Sequence, residues 1–489
     1  MPKKNEFAIF PKLDFPALST QSLSFFRISI AILVLVDLCL RAAQFSEHYT
    51  EEGIAPIRWL ADLEQNPGQG WSVFFFHFGQ IWSLSVFVLI AISATGLLLG
   101  YRTKLFSILT WVLVVSLQAR NPLILFGADM VLAVLLFWGM WLPLGRHWSF
   151  DSSKNALPEA TIRSGATLGI TIQVALIYWM NAITKGHVEW RGDFSAIERT
   201  LRIDYFSTSF GEYLLSFPEL LQAGTRFTLL LEELVPFLLF FPFFRGNLKT
   251  AAVFTMVSFH LGMLGTTMHL GIFPYIGAIA WLPFLPCSFW EKFQKSKGRS
   301  SEATIIAPKT VSIICCLLMA FTVLWNVRHA LKHDDPWYLP KSVNWIAKAT
   351  RLQQRWRLFA PRVNTTDGWL VADAILKDGT HVDLANHGSP VDFARPEEIS
   401  SRYHSCRDRT HLIYLFQRPD RLRIELFMDS LRNRWNAQEK NQVESIELFF
   451  MHEDNREPEK GVRRFQMWPY ETEIIDDNPR LKEVPLVTE

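Results

Sequence analysis

Tyr178, Asn181 and Lys185 close a predominantly apolar stretch that begins at Gly165. On a helix, positions i, i+3 and i+7 share one face, so this spacing delivers an amine beside a phenol and an amide where water is scarce. A lysine serves as a base only if its pKa falls from about 10.4 toward neutrality, which a low-dielectric site with a neighbouring cation can bring about. His187 and Arg191 follow closely enough to be such neighbours. Other ionisable groups lie in or at the ends of apolar runs: Asp37, Arg41, Arg120, Asp129, Glu232, Glu233 and His260. Charge in such a run is costly and marks a functional site by default. Each also has a packing reading. Lys185 can snorkel to headgroups, Arg41 and Arg120 can bind lipid phosphate, and Asp37 with Arg41 can form an i, i+4 pair. Glu232 or Glu233 can pair with Arg226, and His260 can be a satisfied core histidine.

The elements that must position these groups are transmembrane helices. Of 489 residues, 49% are hydrophobic, with 39 Phe and 18 Trp, and a helix needs about 20 apolar residues to cross a bilayer. Nine stretches qualify, at 22–43, 80–99, 103–119, 121–144, 165–185, 226–244, 250–267, 271–290 and 310–327, and one of 250–267 and 271–290 can be re-entrant. With the N-terminus inside, Lys3, Lys4, Lys12, Arg102, Lys104, Arg146, Lys154, Arg163, Arg245, Lys249, Lys292, Lys295, Lys297, Arg299 and Lys309 fall on the cytoplasmic side. The short outer turns carry only Arg120. All the ionisable groups in the spans then lie in the outer half, as a cavity opening outward would place them. Segments 44–80 and 186–225 and everything beyond residue 328 share that outer face.

From about Lys332 the composition turns mixed and charged. Trp369 to Leu376, the turn Lys377-Asp378-Gly379 and His381 to Leu384 read as a hairpin. Ile424, Phe427, Leu431 and Trp435 recur at helical spacing. The expected fold is an α-helical polytopic membrane protein of about nine transmembrane helices (1–330), with a small α+β extramembrane domain (331–489). Five cysteines are too few for a disulfide framework, and no paired-Cys or His-Glu-x-x-His motif indicates a metal. A net charge of +2 without a basic stripe sets nucleic acid aside. Met1 to Asp14 lacks a cleavable signal.

The run Tyr178 to Gly192, with Lys185 five residues before Trp190, resembles the helix of vitamin K-dependent gamma-glutamyl carboxylases that carries their catalytic lysine. Phe259-His260 followed by Gly271-Ile272-Phe273-Pro274-Tyr275 is similar to a carboxylase Phe-His and Gly-x-Phe-Pro-Tyr pair. Arg120-Asn121-Pro122, Gly127-Ala128-Asp129 and Trp141-Leu142-Pro143-Leu144-Gly145 resemble the wider bacterial group that shares this horizontally transferred transmembrane domain. The likeness covers about residues 20–330. It implies that Lys185 deprotonates a reduced vitamin K-type quinone, which reacts with oxygen to give an epoxide. The strongly basic alkoxide formed on the way would remove a proton from a peptide glutamate, and the carbanion would capture carbon dioxide. His260 would be a polar partner, with Asn181, His187, Trp190, Glu232, Glu233, Asp129, Arg120 and Asn121 around the cavity. This chain departs from the carboxylases where Asn121-Pro122-Leu123-Ile124 replaces an Asn-His element and Leu264-Gly265-Thr266-Thr267 an Asn-Ser-Gln group. The lysine chemistry is therefore better carried than glutamate recognition. Three functions follow as expectations: a carboxylase-like lyase acting on a secreted or membrane peptide, a non-carboxylating quinone- or lipid-binding protein, and an assembly factor. By analogy with the family, the location is a bacterial inner membrane with the C-terminal domain outside.

Overall fold

The computed structural model describes residues 15–62, 71–152, 161–240, 246–293, 304–328, 339–439, 441–456, 460–470, 472–475 and 478–485. Lys3, Lys4, Lys12, Lys154, Arg245, Lys295, Lys297, Arg299 and Lys332 lie outside them, as does the end of stretch 226–244. The chain is mostly helical, with a sheet near its C-terminal end. Its principal helices are α1 (Thr20–Ala42), α2 (Phe45–Tyr49), α3 (Gln80–Leu99), α4 (Thr103–Arg120), α5 (Gly127–Gly139), α6 (Gly165–Thr184) and α7 (Val188–Arg191). There follow α8 (Pro218–Leu234), α9 (Asn247–Ser258), α10 (Phe273–Ile279), α11 (Lys309–Arg328), α12 (Cys406–Gln417) and α13 (Arg421–Gln438).

Five helical segments among the described residues are long and apolar enough to cross a membrane: Thr20–Ala42, Gln80–Leu99, Gly165–Thr184, Asn247–Thr267 and Lys309–Arg328. The other expected stretches are shorter or more polar, for local reasons. Stretch 103–119 is helical as α4 but carries Lys104, Gln118 and Arg120. In 121–144, Asn121 and Pro122 start a 3-10 turn, which leaves only the 13 residues of α5. Pro236 ends α8 in another 3-10 turn, Val235–Leu239. Pro283 does the same after α10. The fourth long segment is not uniform, since Phe259–Leu264 widens into a π turn.

Three two- or three-residue strands, β1 (Leu18–Ser19), β2 (Thr161–Arg163) and β3 (Thr304–Ile306), pair into one small sheet. Each leads almost directly into a long helix, α1, α6 and α11, so these three start at one end of the bundle and run the same way. At that end Arg27 of α1 donates to the Leu97 and Leu98 carbonyls at 2.9 and 3.0 Å, which sets α3 antiparallel to α1. Gly100, at φ +66°, then turns the chain into α4. A Cβ there would sit 2.2 Å from the Arg27 guanidinium. The outward faces are apolar, with Ile32, Val36, Leu40, Leu84, Val88, Ile92 and Leu317 exposed. Hydroxyls point inward instead, Ser93 meeting Thr110 at 2.9 Å between α3 and α4. Apolar outside and small polar inside is the arrangement of helices that pack in lipid.

The C-terminal region lies at the opposite end of the bundle. A six-stranded sheet runs in the order β5-β4-β6-β7-β9-β8, from β4 (Thr366–Leu376), β5 (His381–Asp383), β6 (Val443–Asp454), β7 (Arg463–Trp468), β8 (Thr472–Ile475) and β9 (Asn478–Val484). The expected hairpin is β4–β5, with Gly379 at φ +83° in its turn, and the helical spacing at 424–435 falls in α13. Asp367 opens β4 buried, accepting from the Asp204 and Gly368 amides at 2.7 and 2.8 Å. Burial nonetheless pushes its carboxyl up to about 7. The folded form thus holds a proton that the unfolded chain releases near pH 4. Its stabilisation is full below that pH and is lost as pH rises through about 7. Asp367→Asn is expected to flatten the fall in stability between pH 5 and 7.5 by up to about one proton, or ~1.4 kcal/mol per pH unit. Thermal melts of both proteins across that range check it, and parallel curves would refute it.

Candidate functional site

Helix α6 delivers the site. Ser164 caps it by accepting from the Thr167 amide, with the Thr167 hydroxyl returning the contact. The helix ends at Lys185, which has left helical geometry (φ −78°, ψ 60°). Arg191, one short helix later, donates to the Lys185 and Ala182 carbonyls at 3.0 and 3.1 Å and to Glu233 at 2.5 Å. It therefore satisfies helix-end carbonyls and holds the Lys185 backbone in place.

The Lys185 side chain turns inward. It is 2% exposed, and its Nζ lies 2.7 Å from both Glu232 oxygens and 4.1 Å from the centre of the Trp190 ring. Snorkelling to headgroups is thereby corrected: a carboxylate and an aromatic face take the ammonium inside the protein. Asn181 donates to Glu232 Oε1 at 2.9 Å and accepts from the Leu358 amide at 2.8 Å. Tyr178 completes the face. Its hydroxyl accepts from Trp281 Nε1 at 2.8 Å and shares a second hydrogen bond with His260 Nε2 at 2.7 Å. His260 Nδ1 is buried, has no hydrogen-bond partner and faces Gly277, where a Cβ would come within 2.4 Å. The π turn at Phe259–Leu264 is the local distortion that presents His260.

Tyr178, Asn181, Lys185, Trp190, Glu232 and His260 line one cavity of about 60 Å³, closed by apolar side chains that include Phe259, Phe273 and Phe359. No known protein family, curated protein or solved structure matches this chain. What the site can do rests on its own chemistry: an amine, a carboxylate, a phenol and an imidazole in an apolar wall, able to exchange protons with one small bound group.

The other expected cavity residues lie elsewhere. Glu233 is half-exposed on Arg191, and the His187 ring lies 3.7 Å from Glu189. Arg120 is fully buried and donates to the Ala55 and Thr50 carbonyls at 2.5 and 3.2 Å. Asn121 donates to the His48 carbonyl at 3.0 Å. Both fix the segment after α1, which corrects their placement at the cavity and Arg120 as a lipid-phosphate ligand. Asp129 accepts from Arg41 and from Arg407 of α12. Arg41 is likewise not at lipid, and neither glutamate pairs with Arg226, whose guanidinium stacks on Phe194. Sequence reasoning missed Trp281 and the Leu358–Phe359 segment. Trp281 sits in the middle of the apolar stretch 271–290 with nothing to mark it, and 358–359 lies far along the chain, in the C-terminal region.

Proposed function

We propose that this is a membrane protein of nine crossings whose Lys185 cavity takes a proton from a lipid-soluble quinol, as the resemblance to vitamin K-dependent carboxylases implies. The observation that carries the reading is the Lys185 amine held on Glu232 and Trp190 in one wall with His260. Transfer of a proton from Lys185 to Glu232 leaves a neutral amine beside a neutral acid, and that amine can accept a proton from an incoming hydroxyl. The ammonium so formed then faces the quinolate oxygen that gave up the proton and stabilises its charge. His260 Nδ1 has no partner of its own and, when it carries the ring proton, donates to a ligand oxygen. A reduced vitamin K-type quinone would supply the hydroxyl and, with dioxygen, its own oxidation to an epoxide. The donor set fits such a ligand, but a cavity of about 60 Å³ is smaller than the ~150 Å³ that admits benzene. Entry therefore requires the apolar walls of the cavity to part.

The nine crossings are supported by the alternation of ends. Arg102, Lys104, Arg146, Arg163, Lys249, Lys292 and Lys309 gather toward the end with the small sheet, which fits a cytoplasmic face. The C-terminal region then lies outside a bacterial inner membrane. Glutamate carboxylation on a secreted or membrane peptide would use the same base. A second reading, ligand binding or assembly without turnover, is favoured by the pairing itself, because Glu232 occupies two of the three ammonium donors.

The test supplies reduced menaquinone or phylloquinone and oxygen to the purified protein in detergent, with labelled bicarbonate and a glutamate peptide in parallel. Epoxide, with the second oxygen atom leaving as water, is the expected product. Its absence where a true carboxylase forms it would leave the binding reading in its place.

A further inference from the structure

A second buried cluster lies away from the lysine cavity, where the segment after α1 meets α12. Glu47 and His48 of α2 and Asp408 of α12 are all buried, and one ligand-capable atom from each lies within 4.8 Å of the others. His48 buries both ring nitrogens without a hydrogen-bond partner. One unsatisfied buried nitrogen costs on the order of 1–3 kcal/mol, and a ring with two is unexplained by packing alone. Arg434 takes Glu47 Oε2 at 2.8 Å, and His404 lies 3.3 Å from Asp408 Oδ2. Neither claims the other oxygen of its carboxylate. His411, one turn along α12 from Asp408, also buries an unpartnered Nε2.

Arg434 and His404 thus each bond one oxygen of these carboxylates and leave the other free, close to an imidazole that has no hydrogen-bond partner of its own. We propose that Glu47, His48 and Asp408 form a binding site for one divalent transition-metal ion, zinc or its close neighbours, which ties the helical bundle to the C-terminal region. One nitrogen and two carboxylate oxygens suit such an ion, whereas Mg²⁺ prefers oxygen and water alone. The ion has an entry path, because a cavity of about 390 Å³ opens onto Glu47, His404 and Asp408. No local motif marks the site, since its ligands come from opposite ends of the chain.

The full-length protein in detergent is stripped with a chelator, and Zn²⁺ alone is titrated back, with bound metal counted by mass spectrometry and stability followed by thermal melting. One equivalent per chain and a rise in Tm are expected for the wild type and for His381→Gln, an exposed histidine of the β4–β5 hairpin. His48→Gln and Asp408→Asn are expected to weaken binding at least tenfold. A wild type that binds no Zn²⁺, a His48→Gln protein that binds it as well as the wild type, or equal stabilisation by Mg²⁺ would overturn the site. If the variants do not fold, X-ray absorption of the zinc-loaded wild type decides. A nitrogen and oxygen shell with imidazole scattering supports the site, and a shell without imidazole overturns it.

Discussion

Lys185→Ala is expected to lower quinol-dependent epoxide formation by about 10²–10⁴-fold, the usual worth of a positioned general base. Stability alone would not show the role. Lys185 and Glu232 are both buried and paired at 2.7 Å, and removing one member of such a pair typically costs about 3–5 kcal/mol because the other is left charged and alone. Lys185→Met and Glu232→Leu should therefore each melt early, while the double variant recovers much of the loss, since apolar replacement of a whole buried pair is often neutral. Turnover should behave differently. The double variant stays inactive, because the proton acceptor is gone even though the packing is restored. A double variant that is stable and still forms epoxide would end the catalytic reading of Lys185. One that regains stability where the wild type makes no epoxide either would assign the pair to structure.

Much of the helical part was legible because hydrophobic length is a local property. The long apolar runs at 22–43, 80–99, 165–185, 250–267 and 310–327 correspond to the five long helical segments, to within a few residues at each end. Polar and proline residues obscured the others. Asn121-Pro122 and Pro236 break runs that hydropathy averages treat as continuous. Among site residues, Tyr178, Asn181 and Lys185 could be placed on one face, because helical spacing depends on sequence separation alone. Their partners could not be derived that way. Nothing local distinguishes Glu232, which meets Lys185, from Glu233, which turns to Arg191. Arg120, Asn121 and Asp129 looked like cavity residues because they are polar within apolar runs. Each instead satisfies a distant backbone carbonyl or an arginine from another part of the chain.

Arg407→Met is expected to destabilise the fold by about 3–5 kcal/mol, the cost of stranding buried charge. Arg407 leaves α12 and enters the end of the helical bundle. There it donates to Asp37 at 2.7 Å and to the two Asp129 oxygens at 2.9 and 3.0 Å. Arg41 closes the ring on both aspartates, reaching Asp37 at 2.8 Å, and donates to the Tyr49 hydroxyl at 2.7 Å. Two arginines and two aspartates make a neutral cluster whose four members are all buried. Taking Arg407 away leaves two buried carboxylates to one guanidinium. Asp129→Asn breaks the balance in the opposite sense, and combining it with Arg407→Met returns the site to one arginine and one aspartate. The double variant should therefore lose less than the two single losses added, with a coupling of about 1 kcal/mol or more. Thermal or denaturant melts of the four proteins in detergent measure the cycle. Losses within about 0.5 kcal/mol for Arg407→Met, or strict additivity, would mean that the C-terminal region is held on by its other contacts. These include Ser405 to Gln44 at 2.6 Å and Arg434 to Glu47. A large and coupled loss would instead place the junction between bundle and C-terminal region on this charged ring, within one residue of the carboxylate at Asp408.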